Sequence, residues 1–156
     1  MVSNRFKVSI LFTVVLFLHQ SVSAFDNRCE FYLQVDQTLG CSADPTDHQK
    51  YLVNYGYRLC KKYSEHQLSW DYPLQTFITR VAPCLQNKVA ELMTTEITCT
   101  ALGQKAFASH SACYRESGFC ELSFSDKMKV FKVAFDLSLI RNGSWSLGYQ
   151  LLKQCP

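Results

Sequence analysis

The chain has 156 residues, a formal net charge of +3 and 19% charged side chains. That balance excludes a basic stripe for nucleic acid and an acidic tail, so bulk electrostatics is not the functional device. Residues 1–24 read as a secretory signal peptide. Arg5 and Lys7 form a basic start, Val8 to Leu18 is apolar apart from Ser9 and Thr13, and Val22-Ser23-Ala24 supplies small residues before a cleavage point. The apolar run has 11 residues, against roughly 20 for a membrane-spanning helix. Without Arg5 and Lys7 the net charge is +1. Residues 25–156 are expected to form one secreted domain, with no stable membrane insertion and no nucleic-acid partner. A chain of this length can bury roughly two-thirds of its unfolded surface.

Helical periodicity runs through nearly all of that domain. Asp26-Asn27 can cap a short helix carrying Cys29, Tyr32, Leu33 and Asp36, with Gly40 ending it in a left-handed conformation. Asp44-Pro45 gives a start signal for a helix over 45–64, with Leu52, Tyr55, Leu59 and Tyr63 at spacings of three and four. Gly56 inside it costs about 1 kcal/mol relative to Ala, so tertiary support is required. Residues 72–93 carry one apolar stripe, Leu74, Phe77, Ile78, Val81, Leu85, Val89 and Leu92, with a kink expected at Pro83. Thr94 to Thr98 reads as a break.

Cys99 to Tyr114 reads as a further helix with Cys99, Leu102, Ala106, His110 and Cys113 on one face. Gly118 would end it. Ser123 or Ser125 would cap a helix over 124–136, with Phe124, Met128, Phe131 and Phe135 inward and Val130 and Val133 available at the surface. Lys127, Lys129 and Lys132 have the spacing of a solvated helix face. Asn142-Gly143 is a turn, and a last helix would turn Gly148, Leu151, Leu152 and Cys155 inward. Hairpin chemistry and long alternation are missing. The expected fold class is an all-α, disulfide-stapled helical domain.

All eight cysteines lie after the signal: Cys29, Cys41, Cys60, Cys84, Cys99, Cys113, Cys120 and Cys155. An even count in a secreted chain implies a disulfide framework, and about a hundred full pairings remain open from spacing alone. Zinc is the competing use of these residues. It requires paired Cys-x-x-Cys or histidines at ligand spacing, which this sequence lacks, so no metal or other cofactor is expected.

Enzyme signatures are also missing. His48, His66 and His110 form no His-x-x-x-His pair, and there is no Gly-x-Ser-x-Gly elbow. Asp47-His48 has the reverse order of a secreted phospholipase A2 site and no calcium loop before it. With every thiol bonded, no cysteine nucleophile is left. The expectation is a non-enzymatic protein. His110 reads as a packed histidine, and Trp70, Tyr51, Tyr55, Tyr57 and Tyr63 read as packing rather than a ligand box. One modification signal stands out: Asn142-Gly143-Ser144 is an N-glycosylation acceptor.

The later cysteines carry a family pattern. The intervals between Cys60, Cys84, Cys99, Cys113, Cys120 and Cys155 are 23, 14, 13, 6 and 34 residues. Tyr57, Phe77, Leu85, Val89, Tyr114 and Leu151-Leu152 accompany them. This arrangement resembles the conserved-cysteine core of the stanniocalcins, secreted glycoprotein hormones, over residues 29–155. The resemblance implies pairs Cys84–Cys113 and Cys120–Cys155, with Cys60 and Cys99 each joined to an early cysteine. Cys29 then fits Cys60, and Cys41 fits Cys99. It also implies an extracellular hormone or signalling modulator acting by protein binding on a receptor or other extracellular target, with calcium and phosphate homeostasis as its setting. The family's inter-subunit cysteine has no counterpart here, so no covalent dimer is expected, while a non-covalent dimer through an apolar patch stays open. A secreted inhibitor or effector of an extracellular protein, and a saposin-like lipid carrier, are the alternative readings.

Overall fold

The computed structural model describes residues 28–93, 96–134, 151, 153 and 155. The signal segment, Phe135, Asn142, Gly148 and Leu152 lie outside the described residues. Helix α1 covers 28–39. It ends at Gly40, whose φ of 69° is the expected left-handed stop. A 3-10 turn comes next, at Cys41–Ala43.

The start signal at Asp44-Pro45 does not open a helix. Asp44 instead folds back on its own chain: its Oδ1 accepts from the Thr46 N–H at 2.8 Å and from the Thr46 hydroxyl at 2.7 Å. This is the turn chemistry that a short carboxylate offers in competition with helix capping. The chain then passes through Lys50 at φ 45° and enters a π-helix at Tyr51–Tyr57. Ordinary helix begins only with α2, Arg58–Gln67. The support that Gly56 requires comes from α1. A Cβ at residue 56 would sit 2.5 Å from Cδ1 of Tyr32, so only glycine lets the two elements approach this closely.

Helix α3, Tyr72–Leu92, is the axis of the fold. Leu74, Phe77, Ile78, Val81, Leu85 and Val89 are all buried, as the stripe requires. Pro83 lies inside the helix and does not end it. Helix α3 packs on α2 and on the next two helices, α4 (Cys99–Ala108) and α5 (His110–Glu116). The expected single helix over 99–114 is therefore two. At the junction the Ala106 carbonyl receives the Ser109 hydroxyl at 2.7 Å and His110 Nδ1 at 2.9 Å. The same carbonyl also accepts the Ser109 N–H at 3.3 Å, so the chain tightens into an i→i−3 turn where α4 ends. Gly118, at φ 96°, turns the chain after α5.

Helix α6, Phe124–Ala134, is capped by Ser123, whose Oγ accepts from the Asp126 N–H at 3.1 Å. Its rotation differs from the expected one. Val130, Phe131, Val133 and Ala134 are buried, whereas Phe124 and Met128 are exposed. The sequence carries two adjacent apolar stripes, and the valine stripe is the one seated against α2, where the Tyr63 hydroxyl donates to the Val130 carbonyl at 3.4 Å. The expected valine surface for a dimer is thus interior. Two of the three lysines are engaged. Lys127 donates to the Cys120 carbonyl at 2.8 Å, and Lys129 pairs with Asp126 at 2.9 Å and Asp71 at 3.2 Å.

Four disulfides staple these elements: Cys29–Cys60, Cys41–Cys99, Cys84–Cys113 and Cys120–Cys155. Their Cα–Cα distances run from 5.2 to 5.7 Å, within the usual range for a bridge. They join α1 to α2, the 3-10 turn to α4, α3 to α5, and the turn before α6 to Cys155. No strand occurs among the described residues. The architecture is an all-α, disulfide-stapled domain.

Candidate functional site

Cys41–Cys99 fixes the segment from the 3-10 turn to the π-helix against the start of α4. Near it lie two of the buried carboxylates of the fold, Asp36 and Asp47. Asp47, 3% exposed, accepts from the Lys50 N–H at 3.0 Å, holding the turn that leads into the π-helix. Lys50 Nζ donates to the Ser42 carbonyl. The Ser42 hydroxyl donates to Asp36 Oδ2 at 2.6 Å. Cys41, Asp47 and Cys99 come close enough together to look like metal ligands. Both sulfurs are spent on one disulfide, however, so neither is a thiolate and the set does not hold a metal.

The π-helix carries Tyr51 and Tyr55, and their rings stack at 5.5 Å with 21° between the planes. Helix α4 brings Phe107 edge-on to Tyr55 at 5.5 Å. His110 stands behind them. Its ring centroid is 5.3 Å from Tyr55, 5.3 Å from Phe107 and 6.1 Å from Tyr51. Nδ1 faces the carbonyls of Ala106 and Phe107, which assigns the proton to Nδ1. Burial pushes the His110 pKa down to about 4, against the smaller opposing effect of those two carbonyls. His110 is therefore a neutral, packed imidazole at physiological pH. Burial likewise raises the phenols of Tyr51 and Tyr55 well above their ordinary range, so both stay protonated.

Two spaces border these tyrosines. Outside lies a pocket of about 170 Å³ lined by Gln49, Tyr51, Tyr55, Gln104 and Phe107. Inside lies a cavity of about 20 Å³, bordered among others by Tyr32, Tyr51, Tyr55, Tyr63, Ile78 and His110. The inner cavity has room for a single water. Tyr51 and Tyr55 border both spaces. Gln49 and Gln104 are exposed at the outer rim.

The other candidate residues of the sequence are dispersed. His48 is exposed. His66, also exposed, stacks on Trp70 at 5.7 Å with 10° between planes. Neither joins His110 in a cluster of metal-ligating groups among the described residues. Tyr63 belongs to the interior, 3.3 Å from the Tyr114 hydroxyl. Sequence periodicity assigns Tyr51 and Tyr55 to the packing and does not single out Gln49, Gln104 or Phe107. The available signal is the Tyr51–Tyr55 spacing together with Phe107 and His110 three apart on α4 and α5. Nothing in that pattern announces a π-helix.

The described residues form a disulfide-stapled, all-α domain whose outer pocket lies between the π-helix and α4. No family model, curated protein or solved structure matches the chain.

Proposed function

We propose that the chain is a secreted, stanniocalcin-like glycoprotein that acts as an extracellular hormone or signalling modulator by protein–protein binding and without catalysis. The observation that carries this reading is the bridge set. Cys29–Cys60, Cys41–Cys99, Cys84–Cys113 and Cys120–Cys155 are the four pairs that the family resemblance implies, out of about a hundred full pairings that the cysteine count permits. Four bridges also suit an oxidising, extracellular setting. Among the described residues no helix is long and apolar enough to cross a membrane. The signal-like residues 1–24 and the sequon at Asn142 belong to the same reading. The side chains that border the outer pocket, two phenols protonated at neutral pH, a phenyl ring and two amides, suit binding more than proton transfer.

Expression of the whole chain in animal cells tests it. The expected product appears in the medium, begins at Phe25 and loses mass when glycans are removed from Asn142. Labelled product is expected to bind epithelial cell surfaces saturably and to change calcium or phosphate uptake. Retention inside the cells, or binding that never saturates, would overturn the proposal.

A further inference from the structure

We propose that the Cys120–Cys155 bridge is a site of thiol–disulfide exchange, at which a low-molecular-mass thiol of the glutathione class becomes bonded to Cys155 while the other three bridges stay closed. This goes beyond the protein-binding reading above and needs only the oxidised chain.

Burial singles the bridge out. Exchange requires an incoming thiolate to reach one sulfur and the other sulfur to leave as a thiolate. Cys29, Cys41 and Cys113 are at most 1% exposed. Each of the other three bridges therefore has one sulfur in the dry interior, where a thiolate is disfavoured. In two of them the partner is buried as well, Cys60 and Cys99 being 8% and 7% exposed. Cys84 is half-buried, but the sulfur that attack on it would expel is that of Cys113. Only in Cys120–Cys155 are both residues half-buried.

Charge is an independent observation, and it gives the exchange a direction. Lys127 Nζ, near the start of α6, donates to the Cys120 carbonyl at 2.8 Å and lies 5.9 Å from the centre of the Phe119 ring. No carboxylate among the described residues pairs with this ammonium, so its charge is not spent elsewhere. A neighbouring cation favours a thiolate, and a sulfur that is stable as a thiolate leaves faster. Cys120 is thus the leaving sulfur and Cys155 the one attacked. The incoming thiolate forms a bond to Cys155 Sγ and the Cys155–Cys120 bond breaks. Its electron pair stays on Cys120 Sγ, which takes a proton from solvent. One disulfide replaces another, so no further reductant is consumed. Opening this bridge leaves the residues after α6 covalently tied at one end only, whereas the elements from α1 to α5 keep their three bridges.

The test exposes the whole oxidised chain to reduced glutathione, alkylates free thiols at timed intervals and maps the peptides by mass spectrometry. The early product is expected to carry glutathione on Cys155 and the alkyl label on Cys120, about ten-fold ahead of any other cysteine. Lys127→Gln keeps an N–H donor and removes the charge. It is expected to slow the exchange about three-fold, the effect on rate of roughly one unit in the acidity of the leaving thiol. No adduct, an adduct first on Cys84, or labels spread evenly over all eight cysteines would refute the site. Glutathione on Cys120, or an unchanged rate in Lys127→Gln, would overturn the direction assigned to it. Because the reaction needs neither cells nor a receptor, its failure leaves the hormone reading intact.

Discussion

The inward face of α3 and the segment from Cys41 to Tyr57 complete the same core by different means. Helix α3 does it with six apolar side chains at regular spacing, all buried. Its partner α5 is joined to it through Cys84–Cys113, across only 29 residues of chain. The 41–57 segment uses a carboxylate turn, a left-handed lysine, a π-helix and buried tyrosines, and its bridge reaches across 58 residues to Cys99. Regular periodicity therefore builds the support. The irregular segment borders the outer pocket together with Gln104 and Phe107 of α4.

Removing bridges should separate the two regions most strongly. Closing a longer loop removes more freedom from the unfolded chain. The Cys41→Ala/Cys99→Ala pair is expected to cost about 4 kcal/mol, and Cys84→Ala/Cys113→Ala slightly less. Urea denaturation of the two variants checks this. A clearly smaller loss for the Cys41–Cys99 pair would mean that the irregular segment is held by its polar contacts instead.

Acid should act next, through His110. Its folded pKa of about 4 lies below the unfolded value of about 6.5. Between those values the unfolded chain binds the additional proton, so stability rises with pH. The contribution is fully present above about pH 6.5 and is lost as pH falls to about 4, on the order of 3 kcal/mol in all. His110→Gln, which cannot take that proton, should flatten the stability profile across this window. An unchanged slope would place the acid sensitivity elsewhere.

Much of α3 is legible in the sequence because a single stripe at spacings of three and four has one solution. The all-α class comes from the same periodicity. The pairing of the cysteines does not; about a hundred arrangements share one cysteine count, and only the family resemblance chooses among them. The rotation of α6 is ambiguous in the sequence because Phe124–Met128 and Val130–Val133 offer competing faces, and contact with α2 decides between them. The pocket is illegible for a related reason. Asp44-Pro45 suits both a helix start and a turn, and the path of the chain beyond it depends on Lys50 adopting φ 45°, a choice set by tertiary contacts.

Gly56→Ala tests that dependence with a change of sign. In an exposed helix, alanine would be favoured over glycine by about 1 kcal/mol. Here the new methyl would meet the Tyr32 ring, itself buried, at 2.5 Å. Overpacking of this kind costs typically about 1–3 kcal/mol. The variant is therefore expected to melt at lower temperature, and a higher melting temperature would show that α1 can move away from the π-helix without loss.

The smallest expected effect is the most discriminating, because it compares two buried phenols that differ in what their hydroxyls touch. Tyr63 lies in the regular part, with its hydroxyl 3.3 Å from that of Tyr114 and 3.4 Å from the Val130 carbonyl. Tyr51 lies in the irregular part, where no described protein group bonds its hydroxyl. Removing one hydroxyl by Tyr63→Phe breaks interior bonds and leaves Tyr114 short of a partner, at a cost of about 1 kcal/mol. Tyr51→Phe removes a hydroxyl that borders a space, and stability should stay within about 0.5 kcal/mol of the parent. Paired urea titrations of the two variants check the difference. Equal losses would mean that the Tyr51 hydroxyl is satisfied within the fold, by a water in the inner cavity.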